Sequence, residues 1–368
     1  MAEHDLVFAG TYTKPIKFGT GKILEGRGKG IYAFRWDSGL GILSLTCINE
    51  GIVNPSYLAI DRKSRFLYAV NELKEFEGMA SGSLSAFEII DEEGHLRFLN
   101  KYPTKGTDPC YVALDGREEH AIVANFMSGN VAIFSVQRDG GLGRMTDFVQ
   151  HEGSSINSQR QSGPHAHSAV FDPSGKFLLI PDLGIDKMVV YKFDVVKGSI
   201  VLCKDKTIQV TAGSGPRYVE FHPSGAYAYL INELSSTVVV LKVQSEGQWL
   251  TPIQTISTLP PEFKGGSTCA HLQIDPRGRY LYASNRGHDS ISIFAIDSST
   301  GRLEHAGWVP SGGQTPRHFC IDPKGEYLLT ANQDSNNIVV FRIDHQSGKL
   351  EPTGHEVSIP TPVCIKFA

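Results

Sequence analysis

The sequence predicts an all-β fold, a seven-bladed β-propeller with four antiparallel strands in each blade. Three observations predict it: a repeat of about 50 residues, complementary half-repeats at the two ends, and no amphipathic helical segment of ten residues or more. The chain has 368 residues, of which 40% are hydrophobic and 20% charged, an ordinary composition for a globular protein. We expect one domain over residues 1–368.

The repeat is visible in the last two thirds of the chain. Each copy runs through an apolar strand, a [DH]-P-x-G turn, an aromatic-rich strand, a polar loop and an alternating strand. Four clear copies, 50, 53 and 47 residues apart, are anchored on Asp172, His222, Asp275 and Asp322. Weaker copies at "AIDRKSRFLYAVNEL" and "ALDGREEHAIVANFM" bring the number to six. Units of this length that contain several short strands are typical of propeller blades.

The two ends of the chain supply the seventh blade. The C-terminal "TPVCIKFA" resembles a first strand with nothing after it, whereas "LVFAGTYT" and "GKGIYAFRWD" resemble second and third strands without a first. A ring closed by N- and C-terminal strands in one blade explains both fragments. An open β-solenoid is the alternative, but it would not need complementary halves.

The long connections indicate which face of the disc carries the function. In each blade the first strand starts, and the second strand ends, at the same face. The longest loops all map to that face: residues 14–30, 74–83, 151–163 and 259–268. Because binding sites concentrate on long loops held by a rigid scaffold, we expect the functional site at this face.

Comparison of the repeats separates scaffold residues from candidate site residues. Ten residues after the anchors stand Asn71, Asn125, Asp182, Asn232, Asn285 and Asn332. We interpret this shared short polar residue as a hydrogen-bonding device that starts the loop. The next position varies from blade to blade and includes Glu72, Glu233 and Arg286. The scaffold requires no charge there, so these three are candidate site residues.

The start of the innermost strand supplies the remaining candidates. Five residues before the anchors stand Ser56, Cys110, His167, Arg217, Ala270 and Arg317, with Val363 in the closing blade. If this register faces the central channel, His167, Arg217 and Arg317 converge there, with Glu233 and Arg286 at the mouth. His165 lies two residues before His167, on the same side of the predicted strand. The neighbouring register is rich in aromatic residues and includes His271 and His318, which we expect to pack between blades.

The chemistry of this cluster favours a small anionic ligand. Three arginines, two histidines and a glutamate from four blades carry an excess of positive charge, and a guanidinium binds carboxylate or phosphate in a forked geometry. Nearby cations oppose a metal site, so we expect neither a metal nor another cofactor. The absence of a G-x-S-x-G motif disfavours a serine nucleophile. The net charge of −4 gives no reason to expect binding to nucleic acid or to an anionic membrane.

The cysteines and the termini indicate the compartment. The six cysteines form no C-x-x-C pair, and four of them lie in apolar runs, where a free thiol behaves as a small core residue. The N-terminus has no basic region followed by an apolar run, and no stretch approaches the ~20 apolar residues of a membrane helix. We therefore expect a cytoplasmic protein.

Over essentially its whole length the chain resembles the lactonase seven-bladed β-propeller family. The resemblance is carried most specifically by "GPHAHS", "YLINEL" and "SNRGHDSI", and also by "GTYT", "NPSYLAID" and "VQHEGSS". A fungal member, the carboxymuconate lactonizing enzyme, has a proposed site of one His, two Arg and one Glu. Matching of the motifs assigns these roles to His167, Arg217, Glu233 and Arg286. His271 stands where bacterial members commonly carry a glutamate.

The resemblance implies a hydrolase, a lactonase of carbohydrate metabolism that opens 6-phospho-D-glucono-1,5-lactone in the pentose phosphate pathway. His167 would activate water, while Glu233 would orient His167 or serve as the acid for the leaving oxygen. Arg217, Arg286 and Arg317 would divide stabilisation of the oxyanion and binding of the substrate anion in an order that the sequence does not fix, and His165 and Glu72 would contact the substrate. Two alternatives are a muconate-type lactonizing cyclase and a non-catalytic propeller that binds a protein or peptide on its loop face.

Overall fold

The computed structural model describes residues 5–18, 21–244 and 249–368. In chain order its strands are β1 (Asp5–Thr11), β2 (Ile16–Lys17), β3 (Ile23–Leu24), β4 (Gly30–Asp37), β5 (Ile42–Glu50), β6 (Pro55–Ile60), β7 (Phe66–Asn71), β8 (Ser83–Ile89), β9 (Leu96–Pro103), β10 (Pro109–Leu114), β11 (His120–Asn125), β12 (Asn130–Val136), β13 (Leu142–Gln150), β14 (Val170–Phe171), β15 (Phe177–Asp182), β16 (Lys187–Asp194), β17 (Ser199–Leu202), β18 (Ile208–Gln209), β19 (Pro216–Phe221), β20 (Tyr227–Asn232), β21 (Thr237–Val243), β22 (Leu250–Ser257), β23 (Thr268–Ile274), β24 (Tyr280–Arg286), β25 (Ser290–Ile296), β26 (Leu303–Pro310), β27 (Pro316–Ile321), β28 (Tyr327–Asn332), β29 (Asn337–Ile343), β30 (Leu350–Ser358) and β31 (Pro362–Phe367). Within these ranges the only helical element is one 3₁₀ turn, Lys204–Lys206.

These strands form the seven-bladed propeller that the repeat predicted. Blades 2 and 3 are β6–β9 and β10–β13, blade 4 is β14–β17 with β18 beside β16, and blades 5, 6 and 7 are β19–β22, β23–β26 and β27–β30. Blade 1 has the order β31-β1-β4-β5, so the last strand of the chain pairs with the first. Val7 lies opposite Phe367 in that antiparallel pair. The predicted ring closure is therefore confirmed.

Two local devices explain why the repeat folds into blades. In the turn between the first two strands, Asp275 Oδ1 accepts the backbone N–H groups of Arg279 and Tyr280, each across 2.6 Å. The second strand of each blade is buried on both sides because neighbouring blades stack against it. In β20, for example, all six residues are buried, which accounts for its apolar and aromatic composition.

The asparagine at the end of the second strand links blades 2, 3, 6 and 7 to the segment before each of them. Asn285 Nδ2 donates to the carbonyl oxygen of Thr258, and Asn332 Nδ2 donates to that of Ser311, each across 3.0 Å. Both asparagines are fully buried. This is the structural role that the comparison of the repeats assigned to this position.

Five aromatic side chains from the innermost strands close the centre of the ring. In order around the axis they are Tyr57, Tyr111, Tyr218, His271 and His318, with ring centroids 4.1–6.0 Å apart. They surround a small axial cavity of about 20 Å³. Burial lowers the pKa of His271 and of His318 well below the usual value, so both imidazoles are neutral. The two histidines pack from blade to blade, as their register suggests.

Blade 4 departs from the other blades at its first strand. The first strands of blades 2, 3, 5, 6 and 7 have six or seven residues, whereas β14 has only two. Residues 165–168 lie before β14 and hold to β15 by single bonds, such as His167 N–H to the carbonyl oxygen of Pro181 across 3.0 Å. The prediction of a regular strand through His165 and His167 is therefore wrong.

Candidate active site

A cavity of about 220 Å³ opens at the axis on the long-loop face. It is lined by Ile16, Lys17, Phe18, Lys22, Glu72, Asp108, Cys110, Phe126, Met127, Arg160, His167, Glu233, Thr268, Arg286, Thr315, Arg317 and Gln333. Five of these side chains are cationic and three are carboxylates. The charge of the lining favours a small anion, because guanidinium and ammonium groups converge on a confined space.

Glu233 lies directly after β20 and binds three arginines. Its Oε1 accepts a hydrogen bond from Arg160 Nη2 across 2.6 Å. Its Oε2 accepts one from Arg217 Nε across 3.0 Å and lies 2.9 Å from Arg286 Nη2. Burial alone would raise the pKa of Glu233, but Arg286, Arg160 and Arg217 hold it well below its usual value. The carboxylate is therefore ionised at neutral pH.

Arg217, on β19, lies between the axial cavity and Glu233, to which it is hydrogen-bonded. Besides the bond from its Nε to Glu233, its Nη1 donates to the carbonyl oxygen of Ala270. Among the described residues, Arg217 borders the small axial cavity and does not line the larger one. Burial lowers the pKa of Arg217 to about 10, so it remains a cation at neutral pH. The structure thus joins Arg217 to the cluster at the axial cavity, where His167 and Arg317 also lie.

Arg286, at the end of β24, faces the larger cavity. Its Nη2 donates to the carbonyl oxygen of Cys269 across 2.7 Å as well as approaching Glu233. Its buried Nε has no hydrogen-bond partner among the described residues. Because this guanidinium is fixed at one end and lines the cavity, it can present an N–H group to a ligand oxygen.

Arg317 and Glu72 lie together on another side of the cavity. The guanidinium carbon of Arg317 is 5.4 Å from the ring centroid of Tyr12 and 5.6 Å from that of Phe18. Its Nη2 is 3.9 Å from Glu72 Oε2, which also accepts a hydrogen bond from the Tyr12 hydroxyl across 2.9 Å. Burial raises the pKa of Glu72, and the charge of Arg317 opposes this rise. Arg317 is thus held by aromatic rings and one carboxylate.

His167 completes the cluster beside Glu233. Its Nε2 lies 4.0 Å from Glu233 Oε2, and its Nδ1 lies 3.7 Å from Cys110 Sγ. Burial, followed by the charge of Arg217, lowers the pKa of His167 well below 6.5. The imidazole is therefore neutral at pH 7 and able to accept a proton.

His165 lies close to His167 but outside the lining of the cavity within the described residues. Its ring stacks on Phe126 with centroids 4.7 Å apart, and its Nδ1 is 3.0 Å from the Phe126 carbonyl oxygen. Phe126 also contacts the ring of His167, at a centroid distance of 5.2 Å. Phe126 therefore lies between the two histidine rings. Contact between His165 and a ligand stays a prediction.

Sequence reasoning did not identify Arg160, Lys17 or Lys22, which all line the cavity. Arg160 lies in the loop of residues 151–163, outside the strand positions that the repeats share. The two lysines lie on the hairpin of β2 and β3, part of the long loop of residues 14–30. Gly19 and Thr20 of that loop lie outside the described residues. The only sequence signal for these residues is the length of the loops.

Metal-binding clusters and membrane-spanning helices are absent from the described residues. They include no group of three or more His, Cys, Asp or Glu side chains arranged to hold a metal ion. None of the helices in the described ranges is long and apolar enough to cross a membrane.

Comparison with known proteins identifies the family. The family model "Lactonase, 7-bladed beta-propeller" matches residues 6–367. A 6-phosphogluconolactonase of Bacillus subtilis is 33% identical over 296 residues, covering 80% of this chain and 79% of that protein. One of Formosa agariphila is 34% identical over 290 residues, covering 77% and 80%. The solved structure of a periplasmic gluconolactonase of Pseudomonas aeruginosa superposes with a TM-score of 0.89 at 30% identity, over 100% of this chain and 99% of that one. The chain belongs to the lactonase family of seven-bladed β-propellers.

Proposed function

We propose that the protein hydrolyses an anionic sugar-acid lactone, 6-phospho-D-glucono-1,5-lactone, to 6-phosphogluconate. The observation that carries the proposal is the neutral His167 beside an ionised, arginine-bound Glu233, in a cavity where cations outnumber carboxylates. Two relatives named 6-phosphogluconolactonase and one named gluconolactonase support hydrolysis of this class of ester.

His167 acts as the general base. Its neutral imidazole takes a proton from a water molecule whose oxygen attacks the lactone carbonyl carbon. Glu233, 4.0 Å from His167 Nε2, stabilises the imidazolium that forms. The imidazolium then gives its proton to the ring oxygen as the bond between that oxygen and the carbonyl carbon breaks. Because the low pKa of Glu233 leaves it without a proton, orienting and stabilising His167 is its role, rather than acting as an acid.

Arg286 serves the oxyanion of the tetrahedral intermediate. Its guanidinium lines the cavity next to Glu233 and is fixed by the bond from its Nη2 to the carbonyl oxygen of Cys269. A preorganised donor of this kind contributes about 3 kcal/mol to transition-state stabilisation. Arg217, whose Nε and Nη1 are both bonded within the protein, holds Glu233 in place.

Arg317, Lys17 and Arg160 bind the substrate anion. All three line the cavity, and Arg317 is oriented by the rings of Tyr12 and Phe18. A phosphate has three oxygens that can accept bonds from separate cations. This assignment makes the phosphate, rather than the sugar hydroxyls, the main source of binding energy.

Turnover assays test the proposal. We expect loss of 6-phospho-D-glucono-1,5-lactone well above its spontaneous hydrolysis, with kcat/KM about 10-fold or more above that for glucono-1,5-lactone, since a charged hydrogen-bonded contact is worth about 1.5–3 kcal/mol. A muconate substrate, followed by ultraviolet absorbance, tests the lactonizing cyclase. Lys17→Ala tests the binding of the phosphate. It should lower the preference for the phosphorylated lactone over glucono-1,5-lactone without abolishing turnover. Failure to turn over any lactone would support the non-catalytic propeller instead.

We further propose that the chain forms one domain over residues 1–368 and resides in the cytoplasm. All six cysteines are free thiols, which fits a reducing compartment. Cell fractionation with an antibody to the protein tests the location, and recovery outside the cytoplasmic fraction would contradict it.

A further inference from the structure

Blade 4 carries an aspartate where the equivalent position of five other blades carries asparagine. Asn285 and Asn332 use their amide N–H groups to bind a carbonyl oxygen of the segment before their own blade. Asp182 has no side-chain proton to donate when ionised and can only accept hydrogen bonds. Asparagine donates at this position in blades 6 and 7, whereas Asp182 accepts hydrogen bonds in blade 4, which carries His167.

Asp182 uses this acceptor capacity on three donors. Its Oδ1 accepts the backbone N–H of His165 across 2.6 Å and that of Gly184 across 3.0 Å. Its Oδ2 accepts a hydrogen bond from His151 Nδ1 across 2.7 Å. Asp182 is fully buried. Several donors directed at one buried carboxylate fix its geometry and, through it, the backbone that it binds.

His151 is itself held in place. Its side chain is 2% exposed, and its ring stacks on Tyr191 with an angle of 14° between the planes. Its backbone N–H donates to the carbonyl oxygen of Gly129 across 3.0 Å. The pair of His151 and Asp182 is thus a rigid support that connects the loop after β13 with the end of β15.

This support contacts the chain where blade 4 lacks a regular first strand. Residues 165–168 precede the two-residue strand β14. They join β15 through an isolated bridge between Ala166 and Asp182, with His167 N–H donating to the carbonyl oxygen of Pro181, and continuous pairing begins only at β14. Asp182 binds the backbone at His165, two residues before His167. The His165 ring stacks on Phe126, whose ring contacts His167. An unbroken series of contacts therefore leads from His151 to the imidazole of His167.

We propose that Asp182, supported by His151, is a positioning residue for His167. Its carboxylate adds to the isolated bridge between Ala166 and Asp182 and holds the His165–His167 backbone so that the His167 imidazole faces the cavity beside Glu233. The consequence for catalysis rests on the lactonase function proposed above, whereas the effect on the backbone does not depend on it.

Hydrogen exchange followed by mass spectrometry tests the effect on the backbone. In Asp182→Asn, which keeps the side-chain size, we expect peptides covering residues 163–168 to exchange several-fold faster than in the wild type. His151→Phe replaces the imidazole by an aromatic ring that has no nitrogen to bond Asp182. It should speed exchange of the same peptides. Asn332→Ala, at the same position of blade 7, is the matched control and should leave residues 163–168 unaffected. Unchanged exchange of these residues in both test variants would overturn the proposal, whether or not the protein is a lactonase.

Kinetics of the same variants test the consequence for His167. Because a misplaced catalytic group can cost up to about 100-fold, we expect kcat for Asp182→Asn to fall about 10-fold with KM nearly unchanged. The double variant with His151→Phe should lose little more than either single variant, since both act through one contact. Faster exchange with an unchanged kcat would overturn the positioning role. A wild-type protein without lactone turnover would instead refute the proposed function. The exchange result would then decide the structural claim by itself.

Discussion

Arg217 donates its Nε–H to Glu233 Oε2 across 3.0 Å, joining the innermost strand of blade 5 to the loop that follows its second strand. Arg286 of blade 6 and Arg160 of the loop between blades 3 and 4 bind the same carboxylate. One buried glutamate thus offsets three guanidinium groups. The arrangement keeps the carboxylate ionised and leaves Arg160 and Arg286 at the cavity wall, where they can reach a ligand.

Glu233→Gln should reduce both stability and turnover. Removing the charge leaves three guanidinium groups without their shared partner, so the free energy of unfolding should fall by about 3 kcal/mol and kcat by about 100-fold. Chemical denaturation and lactone assays measure the two effects. Glu72→Gln is the control, because Glu72 approaches a single arginine, at 3.9 Å. Equal losses in the two variants would contradict the special role of Glu233.

His167→Gln should lower kcat by about 10²–10⁴-fold, the usual contribution of a general base. KM should change little, since the cations of the cavity remain. His165→Gln, a change of the same type two residues away and outside the cavity lining, should have a smaller effect. If the two variants lose activity equally, or if His167→Gln keeps full turnover, His167 is not the base.

The pH dependence of kcat/KM reports the protonation of His167. Burial and Arg217 hold the pKa of this histidine well below 6.5. Because the neutral imidazole is the active form, kcat/KM should stay constant as the pH falls through 6.5 and should decline only at lower pH. The acidic range also reduces the spontaneous hydrolysis that must be subtracted. A decline centred at or above pH 6.5 would contradict the protonation state assigned to His167.

Arg160→Ala and Arg217→Ala should separate ligand binding from structural support. Arg160 lies in a loop and lines the cavity, so its loss should lower kcat/KM about 10-fold and change the unfolding free energy by no more than about 1 kcal/mol. Arg217 is buried beneath Glu233, so its loss should destabilise the protein by about 3 kcal/mol. Parallel denaturation and kinetic measurements distinguish them. An Arg217→Ala variant with full stability and turnover would contradict its assigned support of Glu233.

Glu220 lies on β19, and its pKa is shifted in the opposite direction to that of Glu233, so ionisation of Glu220 should destabilise the protein. Burial raises its pKa to about 8, and its Oε2 has no partner among the described residues. Since this value exceeds the ~4.3 of an unfolded chain, the folded state retains a proton that the unfolded state has lost between these pH values. Stability therefore falls as the pH rises through this window.

Glu220→Gln should remove this dependence. The melting temperatures of variant and wild type should agree near pH 4.5, and the variant should be more stable at pH 8, by about 6 °C. Glu351→Gln, on the exposed strand β30, is the matched control and should behave like the wild type at both pH values. A variant that is no more stable than the wild type at pH 8 would show that Glu220 is ionised without cost.

The repeat made the scaffold and much of the site predictable. Glu233 and Arg286 occupy a fixed position after the second strand, and His167 and Arg217 a fixed position in the first, so their convergence follows from the closure of the ring. Arg160 could not be found in this way, because it lies in the loop of residues 151–163, outside the strand registers that the repeats share. Arg217 borders the axial cavity together with His167 and Arg317, as its register indicates. Its bonds to Glu233 and Ala270 could not be predicted, because register gives the side of a strand but not the final side-chain contact.

Blade 4 shows a second limit of the repeat. Its sequence motif fits the other copies around Asp172, yet residues 165–168 form no regular strand. The sequence signal is Asp182 in place of asparagine, and the repeat predicts only a shared loop device at this position. Its effect depends on His151, 31 residues earlier, and a contact between two irregular segments does not follow from strand periodicity.

A crystal structure of the protein with 6-phosphogluconate tests the central claim most directly. We expect the product in the cavity at the axis, with the carboxylate that derives from the lactone carbonyl bonded to Arg286 and within reach of His167 Nε2. The phosphate should contact Arg317 or Lys17. A product bound elsewhere, or one whose carboxylate faces away from Arg286 and His167, would contradict a lactonase site built from these residues.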